Sequence, residues 1–218
     1  MPNAPRRRAG GGARCGLKAS GPTLESRART RQHAMLGLRK NLNLLVDYDP
    51  RWEAAYIEEC KRLTQALGSI AKGIEHYGST AVPGMRAKPI LDILVGVSPL
   101  DDWARCRGLL VVLGYDYAAN AGVPDHHIFG RGRDSTERTH LVHVVEFLGE
   151  EWCSNLALRD ALRRDESLRA KYLEVKECAI VASPGNRVRY NELKGPFLAR
   201  VKADLKRMPN VVPPQAEG

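Results

Sequence analysis

The run Ile90-Leu91-Asp92-Ile93-Leu94-Val95 constrains this 218-residue chain more than any other feature. Its apolar residues read as a buried strand, and a lone carboxylate inside such a strand is expensive unless something compensates it. Just upstream, Gly73 to Tyr77 reads as a second strand, and the turn Gly78-Ser79-Thr80-Ala81-Val82-Pro83-Gly84 joins the two. The exposed N–H groups of a Gly-Ser turn, together with a hydroxyl, suit an anion. Asp92 beside such a turn is a candidate Mg²⁺ ligand, because Mg²⁺ takes hard oxygen and borrows phosphate oxygens. The same residues also have an ordinary reading, a common turn followed by a hydrogen-bonded buried aspartate.

The remaining pattern organises a domain around this pair. Asp49-Pro50 is a helix start, with Asp as N-cap and Pro at the first helical position. Trp52, Ala55/Tyr56, Cys60, Leu63 and Leu67 then mark one buried helical face. Ser98-Pro99-Leu100-Asp101 caps a second helix carrying Trp103, Cys106, Leu110 and Leu113 inward. Tyr115 to Ala118 is a short strand, Asn120 to Pro124 a loop, Ile128-Phe129 an edge strand and His140 to Phe147 a strong strand. Three helical segments follow, around Leu156 to Arg164, Leu168 to Ala179 and Tyr190 to Leu205. This order predicts an α/β (α+β) fold of two layers, a mixed sheet with helices on one face and a helical C-terminal part.

Charge separates the ends from this domain. Residues 1–40 hold ten Lys and Arg against one acid, Glu25, whereas residues 41–218 balance at 24 basic and 24 acidic. The excess of +9 and the pI near 9.5 therefore describe the N-terminal segment alone. Residues 1–43 are expected to form a disordered basic tail, and 209–218 a flexible one. Nucleic acid is an expected partner only through nonspecific contacts of the tail. Met35 would also open a chain leading directly into the domain. The five scattered cysteines lack C-x-x-C spacing, which argues against a disulfide framework or a zinc site. No apolar run approaches the roughly 18 residues of a membrane span, and no secretory h-region stands at the N-terminus. A cytoplasmic protein with no membrane partner is expected.

His76-Tyr77-Gly78-Ser79-Thr80-Ala81-Val82-Pro83-Gly84, with Ala87-Lys88-Pro89 and Asp92-Ile93, resembles the signature of the GrpB-like family. The likeness continues through Arg138-Thr139-His140, His143-Val144-Val145-Glu146, Leu156 to Asp160, Leu162-Arg163, Tyr172, Lys176 and Lys194. It covers essentially everything after residue 45, so residues 44–208 are expected to form the domain. The resemblance implies a nucleotidyltransferase, polymerase-beta-like, fold. It also implies a second acid two residues after Asp92, where this chain has Leu94. Two-metal chemistry needs carboxylates for both ions.

Each candidate residue carries a chemical reason. Ser79, with its own N–H and that of Thr80, suits a phosphate, and Gly78 leaves room for it. Lys88 offers a point charge, or is a solvated loop lysine. Period-two alternation groups His140, Val142, Val144 and Glu146 on one strand face and leaves His143 on the other. Glu146 is a candidate second metal ligand with Asp92, and His143 a base or metal partner. Arg159 and Arg163, spaced i, i+4, suit a triphosphate fork, with Arg159 stabilising developing charge. Tyr172 and Lys176 share the same spacing and suit base stacking beside a phosphate contact, and Lys194 joins them by resemblance.

Two functions are expected from this set. One is Mg²⁺-dependent transfer of a nucleotidyl group from a nucleoside triphosphate to a small-molecule or protein acceptor. The other is a non-catalytic nucleotide- or phosphometabolite-binding module. Fusion of some family members to a dephospho-coenzyme A kinase hints at a coenzyme A context for the second.

Overall fold

The computed structural model describes residues 36–119, 126–134 and 136–207. The expectations for residues 1–35, for the loop at 120–124 and for 209–218 lie outside them. In chain order the elements are β1 (Leu38–Arg39), α1 (Arg51–Leu67), β2 (Ala71–Tyr77), β3 (Leu91–Val97), α2 (Trp103–Val112), β4 (Asp116–Tyr117) and β5 (His127–Arg131). They continue with β6 (Glu137–Arg138), β7 (His140–Glu146), α3 (Glu150–Arg164), α4 (Glu166–Val181) and α5 (Arg187–Arg207). Five strands form one mixed sheet in the order β2-β3-β7-β5-β4, in which only β3 and β7 run parallel.

The central position of β3 follows from its composition. Leu91, Ile93, Val95 and Val97 join Trp52, Leu63, Leu67, Cys106 and Leu110 in the main core. α1 and α2 therefore cover one face of the sheet. On the other face Leu94 and Val145 pack with Trp152 and Leu156 of α3. Gly73 and Gly96 lie opposite one another, and a Cβ on either would stand within 2.8 Å of the Trp152 ring. Their missing side chains let α3 dock there. Its cover stops short of Asp92, and that gap positions the site.

Three boundaries differ from the sequence reading. β1 pairs with β6, Leu38 is buried, and Gly37 N–H donates to Pro89 O at 2.8 Å, so the folded part begins ahead of residue 44. A two-residue strand has no period by which to be seen. β5 is not an edge strand but lies between β7 and β4. On α1 it is Glu59 rather than Cys60 that is buried, because Tyr115 Oη donates to it at 2.8 Å and Arg131 Nη2 at 2.6 Å. Arg51 N–H does bond Asp49 Oδ1 at 2.9 Å, so Asp49 caps α1 across Pro50.

Candidate functional site

Asp92 lies at the floor of a cleft of about 470 Å³. The Gly78–Thr80 turn forms one side, Leu141 and His143 of β7 extend the floor, and α4 and α5 supply Tyr172, Lys176, Arg187, Tyr190 and Lys194 opposite. The floor is a consequence of register. Asp92 pairs with Leu141 and Leu94 with His143, so all four side chains face the same way. His143 Nε2 consequently lies 3.9 Å from Asp92 Oδ1.

The turn is shaped by Gly78, whose φ of 72° and ψ of −170° belong to a region other residues rarely enter. A Cβ there would stand 2.6 Å from Asp92 Oδ2. Gly78→Ala is therefore expected to cost about 1–3 kcal/mol of stability. By pushing on the carboxylate it should cost ligand binding still more. Thermal melts with and without a nucleoside triphosphate check this, and equal losses in both would mark the turn as purely structural. Thr80 is buried and its hydroxyl donates to Ile90 O at 3.3 Å while meeting His76 Nε2 at 3.0 Å, so its side chain locks the turn. Ser79 Oγ instead accepts from Lys176 Nζ at 3.1 Å.

Positive charge dominates the walls. Lys176 Nζ also donates to Arg86 O at 2.5 Å, and Lys88 Nζ donates to Asn43 Oδ1 at 2.7 Å while lying 3.6 Å from the Tyr190 ring centroid. Burial, with Lys194 and other cations nearby, lowers both Lys88 and Lys176 to about 7. Burial raises Asp92 to about 6, despite the pull of Lys194, Lys88, Lys176 and Arg187. Among the described residues no hydrogen-bond donor reaches its carboxylate. The cleft is a recess in which several cations crowd one another around Asp92, an arrangement that an anionic ligand would relieve.

The other candidates divide. Tyr172 stacks on Phe197, with centroids 5.6 Å apart, and Lys176 Nζ is 5.3 Å from its ring, so it lines the cleft mostly as core. Glu146 is misplaced by the sequence reading. It pairs with Val97, five residues past Leu141 and on the opposite face, roughly 16 Å along the strand. It cannot share an ion with Asp92. Arg159 does not fork a ligand either: its guanidinium bonds Glu75 Oε2 at 2.7 Å, His76 O at 3.0 Å and Asp160 Oδ1 at 2.7 Å. It ties α3 to β2. Arg159→Ala is expected to lower stability by about 2–4 kcal/mol. Ligand affinity should change little, as urea unfolding and a binding titration would show. Arg163 Nε donates to Ala81 O at 2.9 Å and lines a second cavity of about 500 Å³ between α1, β2 and the turn.

The comparisons with known proteins bear on this arrangement. The family model described as GrpB protein matches residues 44–204. The chain belongs to the GrpB family. The glutamate-rich protein GrpB of Alkalihalophilus pseudofirmus is 30% identical over 174 residues, covering 78% of this chain and 100% of that protein. The crystal structure of GrpB from Enterococcus faecalis superposes with a TM-score of 0.66 at 30% identity, over 75% of this chain and 98% of that one. The Cid1 poly(U) polymerase, bound to its product ApU, aligns at a TM-score of 0.43 and 13% identity over 63% of this chain and 43% of its own, too faint a likeness to argue from.

In this GrpB-family chain the sequence reading missed His126, Glu151, Arg187, Tyr190 and Lys202, all of which line the cleft. His126 Nδ1 meets His143 Nδ1 at 3.1 Å, and His126 Nε2 meets Glu151 Oε2 at 3.1 Å. Glu151 Oε2 also accepts from Asn155 Nδ2 at 3.0 Å and Lys202 Nζ at 3.2 Å. His126 follows a loop with no periodic signal. Glu151 stands on the first turn of α3, where an acid is ordinary helix chemistry. No helix among the described residues is long and apolar enough to cross a membrane.

Proposed function

We propose that the cleft binds a nucleoside triphosphate by its phosphates and that the protein transfers the nucleotidyl group to an acceptor of unknown identity. The observation that carries this reading is the convergence of Lys88, Lys176, Lys194 and Arg187 around Asp92, beside the Gly78-Ser79 turn. Lys176 would hold Ser79 Oγ and a phosphate oxygen together, and Lys88 and Lys194 would neutralise charge gained as pyrophosphate departs. Tyr190 would close the pocket beneath them.

The donor set fits one Mg²⁺ and not two. Asp92 is an unbonded carboxylate in a recess, suited to an ion that takes its other ligands from phosphate and water. Among the described residues no group of three or more His, Cys, Asp or Glu could hold a metal. Leu94 stands where a second acid would be needed and is buried against Trp152 and Leu156. When bound, the ion would supply charge neutralisation on the phosphates.

That same Leu94 favours a second reading, a binding module without transfer chemistry, whose ligand would be a nucleotide or a coenzyme A-type phosphometabolite. A thermal-shift panel of nucleoside triphosphates and coenzyme A precursors, with and without Mg²⁺, tests both. A shift that needs a triphosphate and grows with Mg²⁺ supports the transferase reading. A shift with the coenzyme A precursors alone supports the module, and no shift with any of them overturns both.

A further inference from the structure

Among the described residues, one ring nitrogen of His143 is left without a hydrogen bond. Its Nε2 is buried and has no hydrogen-bond partner among the described residues, and it faces Asp92 Oδ1 at 3.9 Å. Glu151 Oε2 accepts from Asn155 Nδ2 and Lys202 Nζ and meets His126 Nε2 at 3.1 Å. With His126 neutral and donating from Nε2 to Glu151, its Nδ1 accepts from His143 Nδ1–H, and His143 Nε2 then presents a lone pair to Asp92. A lone pair facing a carboxylate is acceptor against acceptor, and it asks for a cation between them.

We propose that Asp92 and His143 together bind one divalent transition-metal ion, with His126 and Glu151 as the positioning residues that fix the imidazole, so that the cleft prefers Mn²⁺-class ions to Mg²⁺. Two ligands each about 2.1 Å from an ion lie no more than about 4.2 Å apart, so a spacing of 3.9 Å is too long for a hydrogen bond and short enough to share a metal. An imidazole whose second nitrogen donates into a fixed acceptor chain is how metal-binding histidines are commonly oriented. A nitrogen ligand favours transition metals over Mg²⁺, which prefers oxygen and gives up its water reluctantly. The inference deepens the reading of the cleft given above by naming the class of ion, and it replaces the pairing of Asp92 with Glu146.

The test uses the full chain and metal ions alone. Pulsed electron paramagnetic resonance of the Mn²⁺-loaded protein should show nitrogen coupling from a directly bound imidazole. Competition should give Mn²⁺ at least about tenfold tighter than Mg²⁺. His143→Gln should bring the two affinities together, Glu151→Gln should weaken Mn²⁺ more than Mg²⁺, and Asp92→Asn should lose both ions. The ratio is the readout, since a merely structural histidine would change both affinities alike. Absence of nitrogen coupling in the wild-type protein overturns the proposal, whether or not the variants fold. Nucleoside triphosphate binding measured both with Mn²⁺ and in EDTA separates the cases. If it is found without nitrogen coupling, only the metal assignment falls; if it is absent under both conditions while coupling is present, the nucleotide reading falls instead.

Discussion

Replacing Asp92 by Asn should make the metal-free protein more stable while removing its metal-dependent ligand binding. The sign follows from the raised pKa. In the unfolded chain the carboxyl ionises near 3.8, and in the fold near 6. Between those values the folded state holds the extra proton, so stability falls as pH rises through that window, and the full cost is present above pH 6. With about a third of the side chain open to the cleft, the cost is on the order of 1–2 kcal/mol rather than the full shift. Asn keeps the shape without the charge, so calorimetry in EDTA at pH 7 should show a rise of roughly 2–8 °C in Tm. The gap between the two proteins should close below about pH 4, where Asp92 is protonated in both states. A variant less stable than the wild type would instead mark Asp92 as a structural acceptor. That outcome, combined with unchanged Mg²⁺-dependent nucleotide binding, would remove the catalytic assignment.

The second large effect is proton uptake on ligand binding. Lys88 and Lys176 are held near 7 in the fold and return to about 10.4 when unfolded. Between these values the unfolded chain carries the extra protons, so these lysines make the ligand-free fold gain stability as pH rises from 7 towards 10. A phosphate in the cleft reverses the repulsion among the cations and raises both pKa values. Binding at pH 8 should therefore take up between about one and two protons, and affinity should fall at least about tenfold from pH 7 to pH 9. Calorimetric titration in buffers of different ionisation heat measures the uptake directly. Binding that is independent of pH across this range would show that neither lysine faces the ligand. Lys176→Met should halve the uptake, with Ser79 Oγ then losing its donor.

Much of this protein was legible in its sequence, for local reasons. The apolar run around Asp92, the glycine turn before it, the Asp49 cap and the helical stripes each depend on neighbours a few residues apart. Such short-range patterns identified β2, β3, β7 and the helices and singled out Asp92, Gly78 and Ser79 as candidates, whereas Lys176 and Lys194 entered through the family resemblance. Period-two alternation even placed His143 and Glu146 on opposite faces of β7. What it could not supply was the register of β7 against β3. That register pairs Asp92 with Leu141, brings His143 beside the carboxylate and sends Glu146 to the far end.

Register between strands so distant in sequence is set by how their buried faces fill a shared core, and no local pattern encodes it. The same holds for Arg159, whose spacing suited a phosphate but whose donors are taken by Glu75, Asp160 and His76 O once α3 docks on β2. His126 and Glu151 meet because the residue just ahead of β5 and the first turn of α3 come together beside His143. The sequence thus determined which groups were available for the chemistry. Tertiary packing decided which of them face one another, because a carboxylate, an imidazole and several lysines acquire their shifted charges only when burial brings them to one recess.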